Sequence, residues 1–195
     1  MNETPRYDSF DDPYCYAGTS ILRNKLDLHD AAVLEAFEHE SVSAKAEEAL
    51  PIGSFDVAHY RAVHRHLFDA VYDWAGEYRT VRIAKRGAMF CYPEHIAGQM
   101  SALFACLNGA AFHTGCAVTE FVGAAAKFIA ELNAIHPFRE GNGRTQLTFL
   151  FLLGERAHVH LNFANIAPDA VMTAMVGSFN GALKPLEAEI RQMLD

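Results

Sequence analysis

Apolar residues return every three or four positions through most of this chain, and the few places where that rhythm fails set apart what is unusual about it. Between Ala31 and Ala49, Val33, Leu34, Phe37 and Val42 stand among many acids, predicting an amphipathic helix that Pro51 to Ser54 breaks. The period resumes at Asp56 with Val57, Tyr60, Val63, Leu67, Val71 and Trp74, and Gly76 is the expected stop. Further helices are expected over about Glu94 to Asn108 and Thr119 to Ala134. In the latter, Phe121, Val122, Ala125, Phe128, Ile129 and Leu132 make a broad apolar stripe. Thr145 to Leu153 is apolar on nearly every face, as in a helix buried within a bundle, and Pro168 to Leu194 adds one or two more. Only Thr80 to Ala84 alternates with period two; Lys85-Arg86-Gly87 then supplies a turn and Ala88 to Tyr92 is extended again. The expectation is an all-α fold carrying one small β-hairpin. Such a hairpin is marginal unless it packs on something, which suggests a flap or docking edge. Met1 to about Tyr16 has no sustained period and reads as an arm, leaving residues 17–195 as a single domain.

Composition narrows the function without naming it. A chain of 195 residues, 51% of them apolar, suits one domain with a sizeable core. Sixteen Lys and Arg against twenty-four Asp and Glu leave a charge of -8, which argues against direct nucleic-acid binding through a broad positive face. The four cysteines form no CxxC pair and are too sparse for a disulfide framework, so a reducing cytoplasm is expected. The N-terminus lacks a signal pattern and no apolar run reaches the roughly 18 residues of a membrane span. Export into a host cell by a signal-independent machine stays open.

The chemistry is concentrated between the two most hydrophobic helices, in Ile135-His136-Pro137-Phe138-Arg139-Glu140-Gly141-Asn142-Gly143-Arg144-Thr145. No core needs so polar a loop there. Gly141 and Gly143 around Asn142 let successive N–H groups turn towards one point as an anion-holding nest, and the start of the next helix points its positive end the same way. The ligand predicted is a phosphate chain. Beside the nest stand a histidine that can move protons near neutral pH, a carboxylate suited to Mg²⁺ and an arginine suited to phosphate oxygens. The plainer alternative is a capped helix start with surface charges.

His136 to Arg144 resembles the signature of the Fic domain family, H-P-F-x-[D/E]-G-N-G-R-x-x-R. Asp12-Pro13-Tyr14, Val71 to Gly76 with Arg79, and the hairpin up to Phe90 are placed like the corresponding family segments, so the similarity runs from about Asp12 to about Leu161. The resemblance implies a Fic-type helical bundle with a hairpin flap that adenylylates a protein hydroxyl, with ATP as substrate and Mg²⁺ as cofactor. It implies His136 as general base, Phe138 as anchor of the loop in the core, and Glu140 as the Mg²⁺ ligand. Gly141, Asn142 and Gly143 would cradle phosphates, and Arg144 would stabilise charge on the pyrophosphate. The hairpin would pair with an extended target segment through Ile83, Ala84 and Lys85, unless Val81, Ile83 and Phe90 simply bury it on the body.

One position departs from the pattern. The family's second arginine should fall at position 147, where this chain has Leu147. A leucine can neither orient a γ-phosphate nor receive the glutamate of the family's inhibitory helix, so nucleotide choice and mode of inhibition are opened. The inhibitory motif, [S/T]-x-x-x-E-[G/N], is approached only by Ser43-Ala44-Lys45-Ala46-Glu47-Glu48, whose last residue is wrong. That implies a separate antitoxin chain and a toxin–antitoxin arrangement. The acidic run Glu35 to Glu48 reads as a solvated face, Tyr72 and Trp74 as core, and the HxH pairs His64/His66 and His158/His160 as poor metal sites on a helix. The reading is a protein adenylyltransferase whose target, a topoisomerase subunit or a small GTPase by family analogy, the residues do not select. Its rivals are transfer of a phosphate or another nucleotide on the same scaffold, and a non-catalytic nucleotide- or partner-binding module.

Overall fold

Asp30 starts the first helix. Its carboxylate accepts the N–H groups of Ala32 and Val33 at 2.9 and 3.0 Å, satisfying two donors that a helix start leaves unpaired. α1 then runs over Ala31–Glu47, and Asp56 caps α2, Val57–Phe68, through His59 N–H at 2.8 Å. The remaining helices are α3 (Pro93–Leu107), α4 (Val118–Ile135), α5 (Asn142–Ala157), α6 (Pro168–Ser178) and α7 (Leu183–Gln192). Two strands, β1 (Ala84–Lys85) and β2 (Ala88–Met89), pair antiparallel with Ala84 opposite Met89. This computed structural model describes residues 12–85, 88–107 and 112–194. The all-α class with one hairpin is therefore the observed one; Met1 to Asp11 and the hairpin turn at Arg86 and Gly87 lie outside the described residues.

The chain divides into two compact units, Met1–Ala97 with His136–Thr145, and Gly98–Ile135 with Gln146–Asp195. In the first, α1 packs on α2 and the centre is aromatic but repeatedly interrupted by polar groups. Tyr60, Phe68, Tyr72 and Phe138 are buried together with His64, Arg79, Arg139 and Asn142. The end of the arm belongs to this unit, since Cys15 bridges to Leu22. In the second, α7 packs against α4 and α6. Its centre is a cluster of phenylalanines: Phe104 and Phe128 meet edge to face at 5.3 Å, and Phe112 and Phe121 at 5.6 Å. Asn133 on α4 ties to α6 by donating to the Met175 carbonyl at 3.1 Å.

Two expected elements differ from the observed ones. α2 stops at Phe68, eight residues before Gly76, because the Phe68 carbonyl accepts the N–H groups of both Val71 and Tyr72 and the chain folds into successive turns. Val71 and Tyr72 stay buried through those turns, which is why the apolar period outlasts the helix. The hairpin's ladder is also only two residues long on each side. Outside it Val81 gives its carbonyl to Arg79, although Phe90 N–H still reaches the Ile83 carbonyl at 3.2 Å.

Candidate active site

The loop between α4 and α5 is held almost residue by residue within the first unit. Phe138 is fully buried, stacked on the His64 ring at 3.7 Å and on Tyr60 at 5.6 Å. Asn142 braces it: its carbonyl oxygen accepts Phe138 N–H at 3.0 Å and its amide nitrogen donates to the Phe138 carbonyl at 2.8 Å. Arg139, at the unspecified position of the motif, forms a buried ion pair with Asp12 at 2.6 Å. His64 donates from Nε2 to the Glu140 carbonyl at 3.0 Å while its Nδ1 accepts Gly76 N–H at 2.8 Å. Those two partners fix a neutral tautomer, and burial pushes the imidazole pKa down to about 3. Thr145 closes the turn, donating from N–H and hydroxyl to the Gly141 carbonyl at 3.0 and 2.9 Å.

Gly141 has φ +79°, and a Cβ there would be driven into the Phe68 ring. Gly143 is the opposite case: it is exposed, and among the described residues nothing beyond its chain neighbours and its own helix backbone stands within 4 Å of where its Cβ would be. The first-turn N–H groups of α5, from Asn142 to Arg144, have no acceptor within the helix and open on that side. This differs from the expected cradle in one respect. The Asn142 side chain is turned inward and spent on Phe138, which leaves its backbone N–H as the group a ligand could use.

Three functional groups line this loop. His136 sits at φ +49°, the left-handed region that a non-glycine residue holds only when its surroundings enforce it, with its ring stacked on Phe90 at 3.9 Å. Glu140 accepts Gly141 N–H on Oε1 at 2.9 Å; among the described residues its other oxygen takes no hydrogen bond. One carboxylate with a free oxygen beside helix-start N–H groups suits Mg²⁺, which takes one or two carboxylates and completes its shell with water and substrate oxygens. Arg144 lies over the Phe68 ring at 4.7 Å, 3.8 Å from Glu140, and pairs with Glu38 at 2.5 Å.

Glu38 is the residue that sequence reasoning missed. Read as part of a solvated acidic face, its side chain is in fact only 12% exposed, with one oxygen on Arg144 and the other accepting the Tyr72 hydroxyl. Asp12 and His64 were likewise assigned no part in the loop. Their signals were present only indirectly, in the Asp12-Pro13-Tyr14 match and in a histidine lying on the apolar face of α2. His66 bonds the Lys45 carbonyl instead, so the two rings of that HxH pair do separate work.

Of the hairpin residues expected to meet a target, Ile83 is buried at 1% exposure, so its side chain packs inward. Ala84 is half-buried, and only the backbone of Lys85 is described. Of the described side chains of the ladder Met89 is the exposed one, at 54%, and Arg82 caps the Tyr92 ring at 4.2 Å. Ser43 to Glu48 forms the exposed end of α1. Leu147, in the second unit, is half-buried.

The family model of Fic/DOC matches residues 54–153. The probable protein adenylyltransferase y4lH of Sinorhizobium fredii is 48% identical, over 97% of this chain and 99% of the relative. Protein adenylyltransferase VbhT of Bartonella schoenbuchensis is 32% identical over 97% of this chain, which spans 40% of that longer protein. The crystal structure of BepC from Bartonella tribocorum, with bound AMPPNP, matches with a TM-score of 0.83 at 26% identity, covering 93% of this chain and 96% of that one.

Proposed function

Because this chain belongs to the Fic/DOC family, we propose that its polar loop transfers AMP from ATP to a hydroxyl side chain of a target protein. The observation that carries the proposal is the loop itself. A histidine, a carboxylate and an arginine are fixed around an open anion cradle by bonds to nearly every intervening residue. Such bracing is what positioning of reactants requires, and it has little use in a surface turn.

His136 takes the proton of the target hydroxyl as its oxygen attacks the α-phosphorus. A phosphorus–oxygen bond forms to the target, the bond to the bridging oxygen breaks, and pyrophosphate leaves with the electron pair. The N–H groups at Asn142 to Arg144 meet phosphate oxygens, and the exposed side of the Arg144 guanidinium faces charge growing on the leaving group. Glu140 would hold Mg²⁺, which when bound neutralises phosphate charge. Phe138 anchors the loop, and the hairpin registers the target segment through backbone at Ile83, Ala84 and Lys85.

Regulation is read as a toxin–antitoxin pair in which a separate chain inhibits, because the nearest internal match, Ser43 to Glu48, points Glu47 into solvent. The target is a cellular protein, a topoisomerase subunit or a GTPase by family analogy, and the working compartment is the cytoplasm, with export into a host cell still open. No helix among the described residues is long and apolar enough to cross a membrane. Leu147 supports one second reading, transfer of a phosphate or of another nucleotide, since it brings no charge to a γ-phosphate. Incubations of a cell lysate with and without the protein, using ATP labelled at the α- or γ-phosphorus or another nucleoside triphosphate labelled at the α-phosphorus, separate the two: label that depends on the protein and comes from the α-position of ATP alone is expected, and protein-dependent label from the γ-position or from the other nucleotide alone would establish the second reading.

A further inference from the structure

Arg79 is among the most deeply buried side chains of the molecule, and it spends its guanidinium on backbone carbonyls in three different segments. Nε donates to the His136 carbonyl at 2.8 Å, one terminal nitrogen to Val81 at 2.7 Å and the other to Cys91 at 2.5 Å. Its own N–H donates to the Pro137 carbonyl at 2.9 Å. Val81 precedes β1 and Cys91 follows β2, so a single fork clasps both legs of the hairpin and ties them to the backbone of His136. Phe90, on the second leg, adds its ring to the His136 ring at an interplanar angle of 17°. The backbone of His136 is the strained one, with φ +49°.

We propose that Arg79 and Phe90 are positioning residues that couple the hairpin to His136, so that a hydroxyl registered on the hairpin meets the imidazole at a fixed place. Neither side chain touches the reacting atoms. The inference rests on the reading of His136 as base and of the hairpin as target-binding flap. Arginine is required because only its planar, five-donor fork spans three carbonyls; a lysine keeps the charge but offers one nitrogen. A displacement of either hairpin leg moves the acceptors of the same guanidinium that holds His136, and a misplacement of about 1 Å at a reacting group costs on the order of a hundredfold in rate.

The test compares the wild type with Arg79→Lys and Phe90→Leu as full chains, through three readouts. They are binding of a non-hydrolysable ATP analogue, the rate of α-label transfer to lysate proteins, and the NMR signals of the His136 imidazole without nucleotide. Arg79→Lys is expected to bind the analogue within about twofold of wild type, to transfer at least about tenfold more slowly, and to show His136 in more than one environment. A folded Arg79→Lys with the wild-type rate and a single wild-type His136 signal overturns the proposal. Should Arg79→Lys fail to fold, Phe90→Leu decides: it keeps the fork, and an unchanged transfer rate overturns the coupling. Absence of transfer by the wild type would instead sink the functional reading, while the His136 signals of Arg79→Lys would still decide whether the residue is held in place by the fork.

Discussion

The two units of this chain solve the problem of a protein interior in opposite ways. The second is filled with phenylalanines, Phe104, Phe112, Phe121, Phe128 and Phe149, whose rings meet edge to face or tilted. The first buries His64, Arg79, Arg139 and Asn142 among its polar side chains, each bonded to loop backbone or to a carboxylate. Burying polar groups is costly unless every one finds a partner, and apolar residues of similar size would stabilise a core at least as well. The polar interior surrounds the loop that carries His136, Glu140 and Arg144, so in that unit packing specifies geometry at a cost in stability that the phenylalanine cluster does not bear.

The largest expected effect on that contrast comes from Arg144→Ala, which removes the charge proposed to face the leaving group. The rate of AMP transfer should fall on the order of a hundredfold or more, while the loss of stability, which comes from leaving the half-sequestered Glu38 without its cation, stays smaller than that of losing a core ring, measured by α-label transfer and thermal denaturation. Phe128→Ala should do the reverse. Loss of a fully packed ring costs about 3–5 kcal/mol, read in urea denaturation, with the transfer rate per folded molecule unchanged. If Phe128→Ala also abolished transfer in the folded fraction, the two interiors would not divide the work as described.

A smaller effect follows from His64. In the unfolded chain it titrates near 6.5, whereas burial holds it neutral in the fold down to about 3. The unfolded state therefore binds the extra proton between those values. The stability is complete above pH 6.5 and is lost as pH falls towards 3, at up to about 1.4 kcal/mol per pH unit. His64→Gln should flatten that slope in denaturation curves taken at several pH values, and a slope identical to wild type would remove His64 from the account. The smallest change is expected from Glu38→Gln, which keeps a partner for Tyr72 but removes the negative charge beside Arg144. A three- to tenfold loss of transfer rate, about 1 kcal/mol, is expected if Glu38 steadies the guanidinium. A gain in rate would show instead that Glu38 withholds Arg144 from its substrate.

What could be read from the sequence follows the same division. Helices whose apolar stripe is uninterrupted, such as α3 and α4, were placed within a residue or so, because a 3.6-residue period is a direct imprint of one buried face. The loop was legible because nine successive motif residues leave few alternatives. The end of α2 was not, since Val71 and Tyr72 continue the burial through turns that periodicity does not sense. Glu38 was hidden among acids that do face water, and its partner lies 106 positions away. Asp12 and Arg139 are 127 apart, a pairing that exists only once the chain has folded. Asn142 shows the remaining gap: its identity pointed to phosphate, but whether a side chain or its backbone meets a ligand depends on what else the side chain can reach.

The most direct test of the central claim is a single-turnover measurement of AMP transfer from α-labelled ATP to protein, made with wild type and with His136→Ala at matched concentrations of folded enzyme. A loss of about 10²–10⁴-fold is expected in the variant, with binding of a non-hydrolysable ATP analogue retained. Equal rates from the two proteins would contradict it, because the braced loop would then be holding a nucleotide without supplying the base.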